Sequence, residues 1–209
     1  MLRSLSALLR PLADRTASRA TIRPAPDMAT FAARLEVLDK DPFLMVADDT
    51  LRLISVFDDL KYDRADLDMM SGPMRRHVVG KLAPLGFRQV SGSVIENRTE
   101  DIRMLFPKYR ALGASPFDAA RDTPRRAQDY YILTPTQVAC QIIDHYPIED
   151  AVARIKALIV KHPINLYRIW DFLEKTDRHN GFLPAIGHLK YVQREAIEKE
   201  PLKTRRALR

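Results

Sequence analysis

Apolar residues in the last third of the chain recur at three- and four-residue spacing, which places them on one face of a helix. Four such stripes follow one another between residues 134 and 199, and each predicts a helix that packs against a core. The stripes are Val138, Ile142 and Ile143; Ile148, Val152, Ile155, Leu158 and Ile159; Leu166, Ile169, Trp170 and Leu173; and Ile186, Leu189, Val192 and Ala196. The first helix has a clear start at Thr134-Pro135-Thr136-Gln137, with Thr134 as the N-cap, proline at the first helical position and Gln137 at the third.

The part between residues 28 and 86 predicts helices and one short strand. A first helix is predicted from Thr30, as its N-cap, to about Lys40, and residues 43–46 form an apolar run typical of a buried strand. A second helix is predicted from Asp48-Asp49-Thr50, which would cap it, with Leu51, Leu53, Ile54 and Phe57 on its apolar face. A third is predicted from Ser71-Gly72-Pro73 to Leu82, where Pro84-Leu85-Gly86 ends it.

Residues 87–106 have the pattern of a β-hairpin. One arm is predicted over 87–95 and the returning arm over 102–106, with the turn at 96–100; residues 130–133 predict one more short strand. The fold class that follows is α+β, a small mixed β-sheet with flanking helices followed by a C-terminal helical subdomain. The predicted division is an α/β domain over 28–133, the helical subdomain over 134–199, and terminal segments 1–27 and 200–209.

Composition narrows the class of protein. The chain has 209 residues, of which 46% are hydrophobic and 29% are charged, values typical of a globular protein. No apolar run approaches the roughly 18 residues that a membrane span requires, so no span is predicted. Cys140 is the one cysteine, which excludes an intrachain disulfide and favours a reducing compartment such as the cytoplasm. The five histidines share no spacing typical of a metal site.

The charge balance points to an anionic partner. The net charge is +7, and an excess of this sign fits a nucleotide or a nucleic acid. Part of the excess lies at the chain ends, where residues 200–209 form a basic tail and residues 1–27 form a basic leader that we expect to be disordered. The leader is rich in arginine and poor in acids, so an organellar presequence, which would imply an organelle matrix, and a true start at Met28 are the alternatives. Its arginines are Arg3, Arg10, Arg15, Arg19 and Arg23.

The strongest candidate for chemistry is the pair Asp66 and Asp68, separated by Leu67. On an extended backbone, residues two apart project to the same side of a sheet, so the two carboxylates would lie close together. Mg²⁺ prefers hard oxygen ligands and shares them with phosphates, which makes such a pair suitable for phosphoryl transfer. The alternative is that both are solvated acids in a loop or at the start of a helix.

The order of motifs from Phe43 to Leu173 resembles the nucleotidyltransferase-fold superfamily, in particular its minimal bacterial, toxin–antitoxin-type branch. The first matching motif is the short apolar run Met45-Val46-Ala47-Asp48. The segment Arg64-Ala65-Asp66-Leu67-Asp68-Met69-Met70 resembles the family's Arg-x-Thr-x-Asp-hydrophobic-Asp, with a shorter spacing between the arginine and the first aspartate. The remaining motifs are Leu82-Ala83-Pro84-Leu85-Gly86-Phe87, Leu133-Thr134-Pro135-Thr136-Gln137 and Asn165-Leu166-Tyr167-Arg168-Ile169-Trp170-Asp171-Phe172-Leu173.

This resemblance implies transfer of a nucleoside monophosphate from a nucleoside triphosphate to an RNA or protein acceptor, with Mg²⁺ as cofactor. Asp66 and Asp68 would be the catalytic residues and the metal ligands, and Arg64 and Arg103 would neutralise phosphate charge. The family has Gly-Gly or Gly-Ser after its first strand, to cradle phosphates; here Ala47-Asp48-Asp49-Thr50 occupies that position, where the two carboxylates would repel a triphosphate without a metal ion. The resemblance implies that Asp49 and Thr50 bind the phosphates there. Its third carboxylate would fall near Arg103, which cannot ligate a cation, so a degenerate member without activity is also implied.

Two other classes of function remain open. One is a nucleic-acid-binding module, in which the helix 73–82 with Arg75, Arg76 and Lys81 and the 87–106 hairpin form a unit like a winged helix. The basic connection over 108–126 would add cationic and aromatic contacts. The other is a subunit without catalytic activity that binds a protein partner through its four C-terminal helices.

Overall fold

The computed structural model of this chain describes residues 27–58, 70–107, 126–173 and 177–200. Those residues form six α-helices, named α1 to α6 in chain order: Met28–Leu35, Gly72–Leu82, Pro135–His145, Ile148–Lys161, Leu166–Leu173 and Leu183–Lys199. They also form six strands, β1 to β6: Leu44–Asp48, Leu53–Val56, Arg88–Ser91, Val94–Asn97, Ile102–Leu105 and Tyr130–Leu133. Short 3₁₀ segments cover Glu36–Lys40, Ala83–Leu85 and Asp177–Phe182.

The six strands form one mixed sheet with the order β1-β2-β6-β5-β4-β3. β6 lies between β2 and β5 and is parallel to both. The other pairings are antiparallel, so β6 joins the β1–β2 hairpin to the β3–β4–β5 meander. The predicted α+β class, with a mixed sheet, flanking helices and C-terminal helices, is confirmed.

Helices cover both faces of the sheet, which is why β2 and β6 are buried along their whole length. On β6, Tyr131 and Leu133 belong to the hydrophobic cluster that includes residues of α3 to α6. Tyr130 and Ile132 belong to a second cluster, which includes residues of α1 and α2. Because successive strand residues point to opposite faces, a strand between two helical layers needs an apolar residue at every position.

Three local signals in the sequence are confirmed by the structure. Thr134 and Gln137 form a reciprocal capping box at the start of α3, with hydrogen bonds of 3.4 and 3.1 Å. The hydroxyl of Ser71 accepts from the N–H of Met74 at 3.2 Å and so caps α2. Gly86, at φ 87°, ends the short 3₁₀ segment that follows α2, in a left-handed conformation that glycine adopts without strain.

The helix predicted to begin at residue 48 is wrong, because this segment is a turn followed by β2. Asp48 Oδ1 accepts from the N–H of Leu51 at 2.8 Å within the turn, and Arg52 has a positive φ of 55°. From Leu53 onward the chain is extended and pairs with both β1 and β6. The apolar run in this segment reflects burial on two faces of a sheet, which the sequence pattern does not distinguish from a helical stripe.

The start of the first helix also differs from the prediction. Its N-cap is Asp27, whose carboxylate accepts from the N–H groups of Ala29 and Thr30 at 3.2 and 3.4 Å. Thr30 therefore lies inside α1, and its hydroxyl donates to the same carboxylate at 2.5 Å. Aspartate and threonine are both favourable N-cap residues, and Asp27, three residues before Thr30, is the one that caps α1.

The predicted hairpin over 87–106 is a meander of three strands. Its first predicted arm, 87–95, divides at Gly92 and Ser93 into β3 and β4, which pair with each other. The predicted turn over 96–100 and the returning strand are confirmed as the β4–β5 connection and β5. The residues Ser-Gly-Ser in the first arm favour a turn. The prediction of a single strand followed the alternation of apolar residues instead.

The buried stripe of α5 is narrower than the sequence predicted, because Trp170 is 41% exposed. Leu166, Ile169 and Leu173 are buried as predicted, and Phe172 completes the buried face. The assignment of Trp170 to the core is therefore wrong. No helix in the described ranges is apolar over a stretch long enough to span a bilayer, in line with the sequence prediction.

Candidate functional site

The carboxyl ends of the three parallel strands lie at one end of the sheet, which we call the carboxyl end. β2, β6 and β5 are neighbours, and Ser55 of β2 is in register with Leu133, the last residue of β6. The described chain leaves this end at Asp58, at Pro107 and at Thr134, the cap of α3. In open sheets with parallel strands, ligands bind in the crevice outside the carboxyl ends of the strands. The carboxyl end is therefore the favoured position for a ligand site in this sheet.

The start of α2 reaches the same end of the sheet. Arg75 Nη1 donates to the carbonyl of Gly92, in the β3–β4 turn, at 2.8 Å. The guanidinium of Arg75 also lies 5.1 Å from the ring centroid of Phe106, and Phe106 N–H donates to the carbonyl of Ser93 at 2.8 Å. β2, which precedes residues 59–69 in sequence, therefore ends at the carboxyl end, and α2, which follows them, begins at the same end.

A buried Ser–His pair connects β2 to the turn after α4 near this end. Ser55 Oγ lies 2.7 Å from His162 Nδ1, and neither residue has any exposed surface. The ring of Phe57 stacks on His162 with a centroid distance of 5.7 Å. The hydroxyl of Thr136 accepts from the N–H of Asn165 at 2.9 Å, which fixes the same turn to the start of α3. Because the pair is closed to solvent, its role is to hold these elements together.

The predicted catalytic residues Asp66 and Asp68, and the predicted phosphate ligand Arg64, lie outside the described residues. What the structure does give is the position of the chain on either side of them, at Asp58 and at Ser71. The other predicted phosphate-binding residues, Asp49, Thr50 and Arg103, lie toward the opposite end of the sheet.

Asp49 and Thr50 lie in the β1–β2 turn, at the opposite end of the sheet, which we call the amino end. Both are exposed, and no helix begins there to supply the phosphate cradle that the sequence suggested. The neighbouring Asp48 is buried and accepts from Tyr146 OH at 3.1 Å and from Arg154 Nη1 at 2.6 Å. This turn is thus fastened to the α3–α4 layer by a buried carboxylate that the sequence reasoning missed.

Arg103 also lies toward the amino end, on β5. Its Nε and Nη2 donate to Asp129 at 3.0 and 2.5 Å, and the side chain of Asp129 is fully buried. These hydrogen bonds raise the pKa of Arg103. Arg126 extends the network: its N–H donates to Asp129 at 2.8 Å, and its Nη1 donates to Asp101 at 2.6 Å. The predicted contact of Arg103 with phosphate stays a prediction.

Burial and charge change the acidity of two further groups. Burial raises the pKa of Tyr130 to about 12, and the nearby carboxylate of Asp49 acts in the same direction. Burial would also raise the pKa of Asp41. Hydrogen bonds from Lys81, from the N–H of Phe43 and from His77 outweigh that effect and hold the pKa of Asp41 below its usual value.

The basic residues of the proposed winged-helix-like unit are partly engaged within the chain. Arg75 is bound to Gly92, and Lys81 lies 2.9 Å from Asp41 Oδ2. Arg76 is exposed on α2. Of the three cations on this helix, two therefore stabilise the protein itself.

A cavity of about 400 Å³ opens beside the α3–α4 connection. His179, only 3% exposed, lies on its wall with Nε2 2.8 Å from Asp144 Oδ1 and its ring stacked on Phe172. Ile148, which the sequence placed in the core, also lines the cavity and is 46% exposed. The other lining residues are Ile143, His145, Tyr146, Pro147 and Phe182.

No cluster of three or more histidine, cysteine or acidic side chains suited to a metal ion occurs within the described parts of the chain. The predicted Mg²⁺ ligands fall outside those parts, so Mg²⁺ remains a prediction. No protein-family model, no curated protein and no solved structure matches this chain.

Proposed function

We propose that this chain binds a nucleoside triphosphate at the carboxyl end of its sheet and transfers a nucleoside monophosphate to an acceptor, as a nucleotidyltransferase-fold protein. One observation carries the proposal. β2, which precedes the segment with Asp66 and Asp68 in sequence, ends at the carboxyl end, and α2, which follows that segment, contacts the same end through Arg75 in its first turn. Sites for phosphorylated ligands in sheets of this kind lie at that end.

The surroundings of this end suit an anionic ligand. α2 begins there, and the positive end of a helix dipole stabilises nearby negative charge. A second connection, over 108–125, also leaves from this end, and its sequence includes Lys108, Arg110, Arg121 and Arg125. Cations on that connection and Arg64 would bind phosphate oxygens.

In the proposed reaction an acceptor hydroxyl oxygen forms a bond to the α-phosphorus while the bond to the pyrophosphate oxygen breaks. Pyrophosphate leaves with the electron pair of that bond, and the hydroxyl proton passes to solvent. Asp66 and Asp68 would hold the triphosphate in line with the acceptor. Mg²⁺, bound to these two carboxylates, would neutralise charge on the phosphates.

The test measures binding and transfer separately, with the full chain. Each of the four nucleoside triphosphates, labelled at the α-phosphate, is incubated with Mg²⁺ and with RNA or protein acceptors, and nucleotide affinity is measured by calorimetry. We expect label on an acceptor with the wild type, and a loss of at least about 100-fold in Asp66→Asn/Asp68→Asn. Asp63→Asn is the matched control, because Asp63 lies in the same segment and has no role in the proposal.

The outcomes discriminate between the versions of this proposal. Nucleotide binding that requires Asp66 and Asp68, without any transfer, would identify the degenerate version. Equal transfer by the double variant and the control, or no nucleotide binding by the wild type, would overturn the proposal.

A further inference from the structure

We propose that an exposed surface on α5 and α6 binds single-stranded nucleic acid by stacking bases on its aromatic rings. This aromatic face consists of Tyr167 and Trp170 on α5 and of Lys190 on α6. The proposal concerns binding alone and does not depend on nucleotidyl transfer. It would hold for an inactive protein as well.

The first observation is the exposure of two large aromatic side chains on α5. Tyr167 is 54% exposed and Trp170 41%. Tyr167 and Trp170 are three residues apart on one helix, a spacing that makes their side chains neighbours on its surface. A cluster of exposed aromatic residues marks an interaction surface, because a folded chain gains stability by burying such side chains.

The second observation is a cation that links the two helices across this face. The Nζ of Lys190 lies 5.0 Å from the ring centroid of Tyr167, a cation–π contact. That contact covers one face of the Tyr167 ring with an ammonium group, which lies within reach of the phosphate of a nucleotide stacked on a neighbouring ring surface. Aromatic rings beside cations are the usual means by which single strands are bound without sequence preference.

Two arginines on α5 and α6 are paired with acids of their own helices, and the sequence that follows α6 is rich in cations. Arg168 lies 3.8 Å from Asp171, and Arg194 lies 2.9 Å from Glu198, so the charges of these two arginines are partly neutralised. The nine residues that follow α6 and Glu200 include four cations and no carboxylate, and the whole chain has a charge of +7. The four are Lys203, Arg205, Arg206 and Arg209.

A single strand fits this surface better than a duplex. In a duplex the base faces are stacked on one another and are closed to an aromatic side chain. An unpaired strand exposes those faces, and its backbone phosphates would lie within reach of the ammonium group of Lys190. Stacking adds to the charge contacts, and each phosphate contact contributes to the salt dependence, so we expect the affinity to fall as the salt concentration rises.

Trp170 is the only tryptophan in the chain, so its fluorescence reports directly on this surface. The full chain is titrated with oligouridylate, with oligothymidylate and with a duplex of the same length, and binding of labelled oligonucleotide is followed by anisotropy. We expect single strands of either sugar to quench Trp170 and the duplex to bind more weakly. Trp170→Phe should keep most of the affinity, whereas Trp170→Ala should lower it by about tenfold or more.

Two matched variants control for the loss of an exposed side chain or charge elsewhere. Val90→Ala removes a side chain that is 48% exposed on β3 and should leave the affinity unchanged. Lys190→Gln should reduce the log–log salt slope by about 0.7, as expected for one phosphate contact to a single strand. Arg98→Gln, which removes an exposed cation of the β4–β5 turn, should leave that slope unchanged. Trp170→Ala should keep the nucleoside triphosphate affinity of the wild type in calorimetry, which separates this proposal from the proposed function.

Three results would overturn the proposal. The first is the absence of Trp170 quenching and of anisotropy change with every oligonucleotide. The second is an equal loss of affinity in Trp170→Ala and Val90→Ala. The third is self-association in sedimentation that Trp170→Ala abolishes, without oligonucleotide binding, because the face would then be covered by a second copy of the chain.

Discussion

Arg103 and Asp129 form a two-point ion pair that ties β5 to the start of β6. The donors are Nε and Nη2 of the guanidinium, at 3.0 and 2.5 Å, and the carboxylate is closed to solvent. Pairs of this geometry are the stronger kind of hydrogen-bonded ion pair, since both ends of the fork match both oxygens of the acid. The arginine that the sequence suggested for phosphate therefore has a structural partner.

Arg103→Lys tests that structural role. Lysine keeps the charge but presents a single ammonium group, so the carboxylate of Asp129 loses one of the two hydrogen bonds that Arg103 donates to it. We expect the free energy of unfolding to fall by about 1–3 kcal/mol in urea denaturation. Arg88→Lys, on the exposed strand β3, should change it by less than about 0.5 kcal/mol. If Arg103→Lys weakens nucleotide binding while its stability equals that of the wild type, the residue serves a ligand instead.

A comparison of two Arg–carboxylate pairs tests the importance of burial. Arg154 donates to Asp48, whose side chain is fully buried, whereas Arg194 donates to Glu198 on an exposed face of α6. Arg154→Met should lower the free energy of unfolding by about 2 kcal/mol, because a buried carboxylate loses its counter-charge; partial exposure of Arg154 keeps the loss below the largest values. Arg194→Met should lower the free energy of unfolding by about 0.5 kcal/mol or less. Similar losses for the two variants in urea denaturation would contradict this assignment.

Two glycines should respond to alanine with opposite signs. Gly86 has a φ of 87°, and a Cβ there would lie 3.2 Å from Asn97 Nδ2, so Gly86→Ala should lower the free energy of unfolding by about 1–2 kcal/mol. Gly80 lies within α2, where a Cβ would meet nothing within 4 Å. Gly80→Ala should therefore raise the free energy of unfolding by about 0.5–1 kcal/mol. Thermal denaturation of both variants measures the signs, and a shared sign would rule out this explanation.

The raised pKa of Tyr130 predicts a loss of stability in alkali. Burial keeps its phenol protonated in the folded chain up to about pH 12, while an ordinary tyrosine ionises near 10.0. The contribution of Tyr130 is therefore complete below the lower value and is lost as the pH rises through the higher one. Tyr130→Phe should show a smaller fall in the free energy of unfolding across this range. Tyr191→Phe, at an exposed position, should follow the wild type; if both variants behave alike, another group is responsible.

Where a feature depends on a few adjacent residues, the sequence predicted it. The cap at Thr134, the start of α2 after Ser71 and the helix stop at Pro84-Leu85-Gly86 each follow from local backbone chemistry, and each is confirmed. The errors occur where tertiary packing decides. β2 is apolar because two helical layers cover it, and Trp170 is exposed because the buried face of α5 ends before it.

The candidate site also combines features that the local sequence predicts with features that only the tertiary structure reveals. The ion pairs of Asp48 with Arg154 and of Arg103 with Asp129 join residues 106 and 26 positions apart, and no spacing rule connects them. The sequence singled out Asp66 and Asp68 by local spacing alone. Only the sheet order shows that the strand before them ends beside the carboxyl ends of β5 and β6.

The central position of β6 determines when the sheet can be completed during synthesis of the chain. No backbone pairing links β2 directly to β5, so a chain emerging from the ribosome holds two incomplete ladders until Tyr130–Leu133 has been synthesised. Each ladder ends meanwhile in an open apolar strand, a template for pairing with other chains. Parallel pairings between distant residues also form slowly. Newly made chains should therefore need chaperone protection for longer than their size suggests, and truncation before residue 130 should yield aggregates.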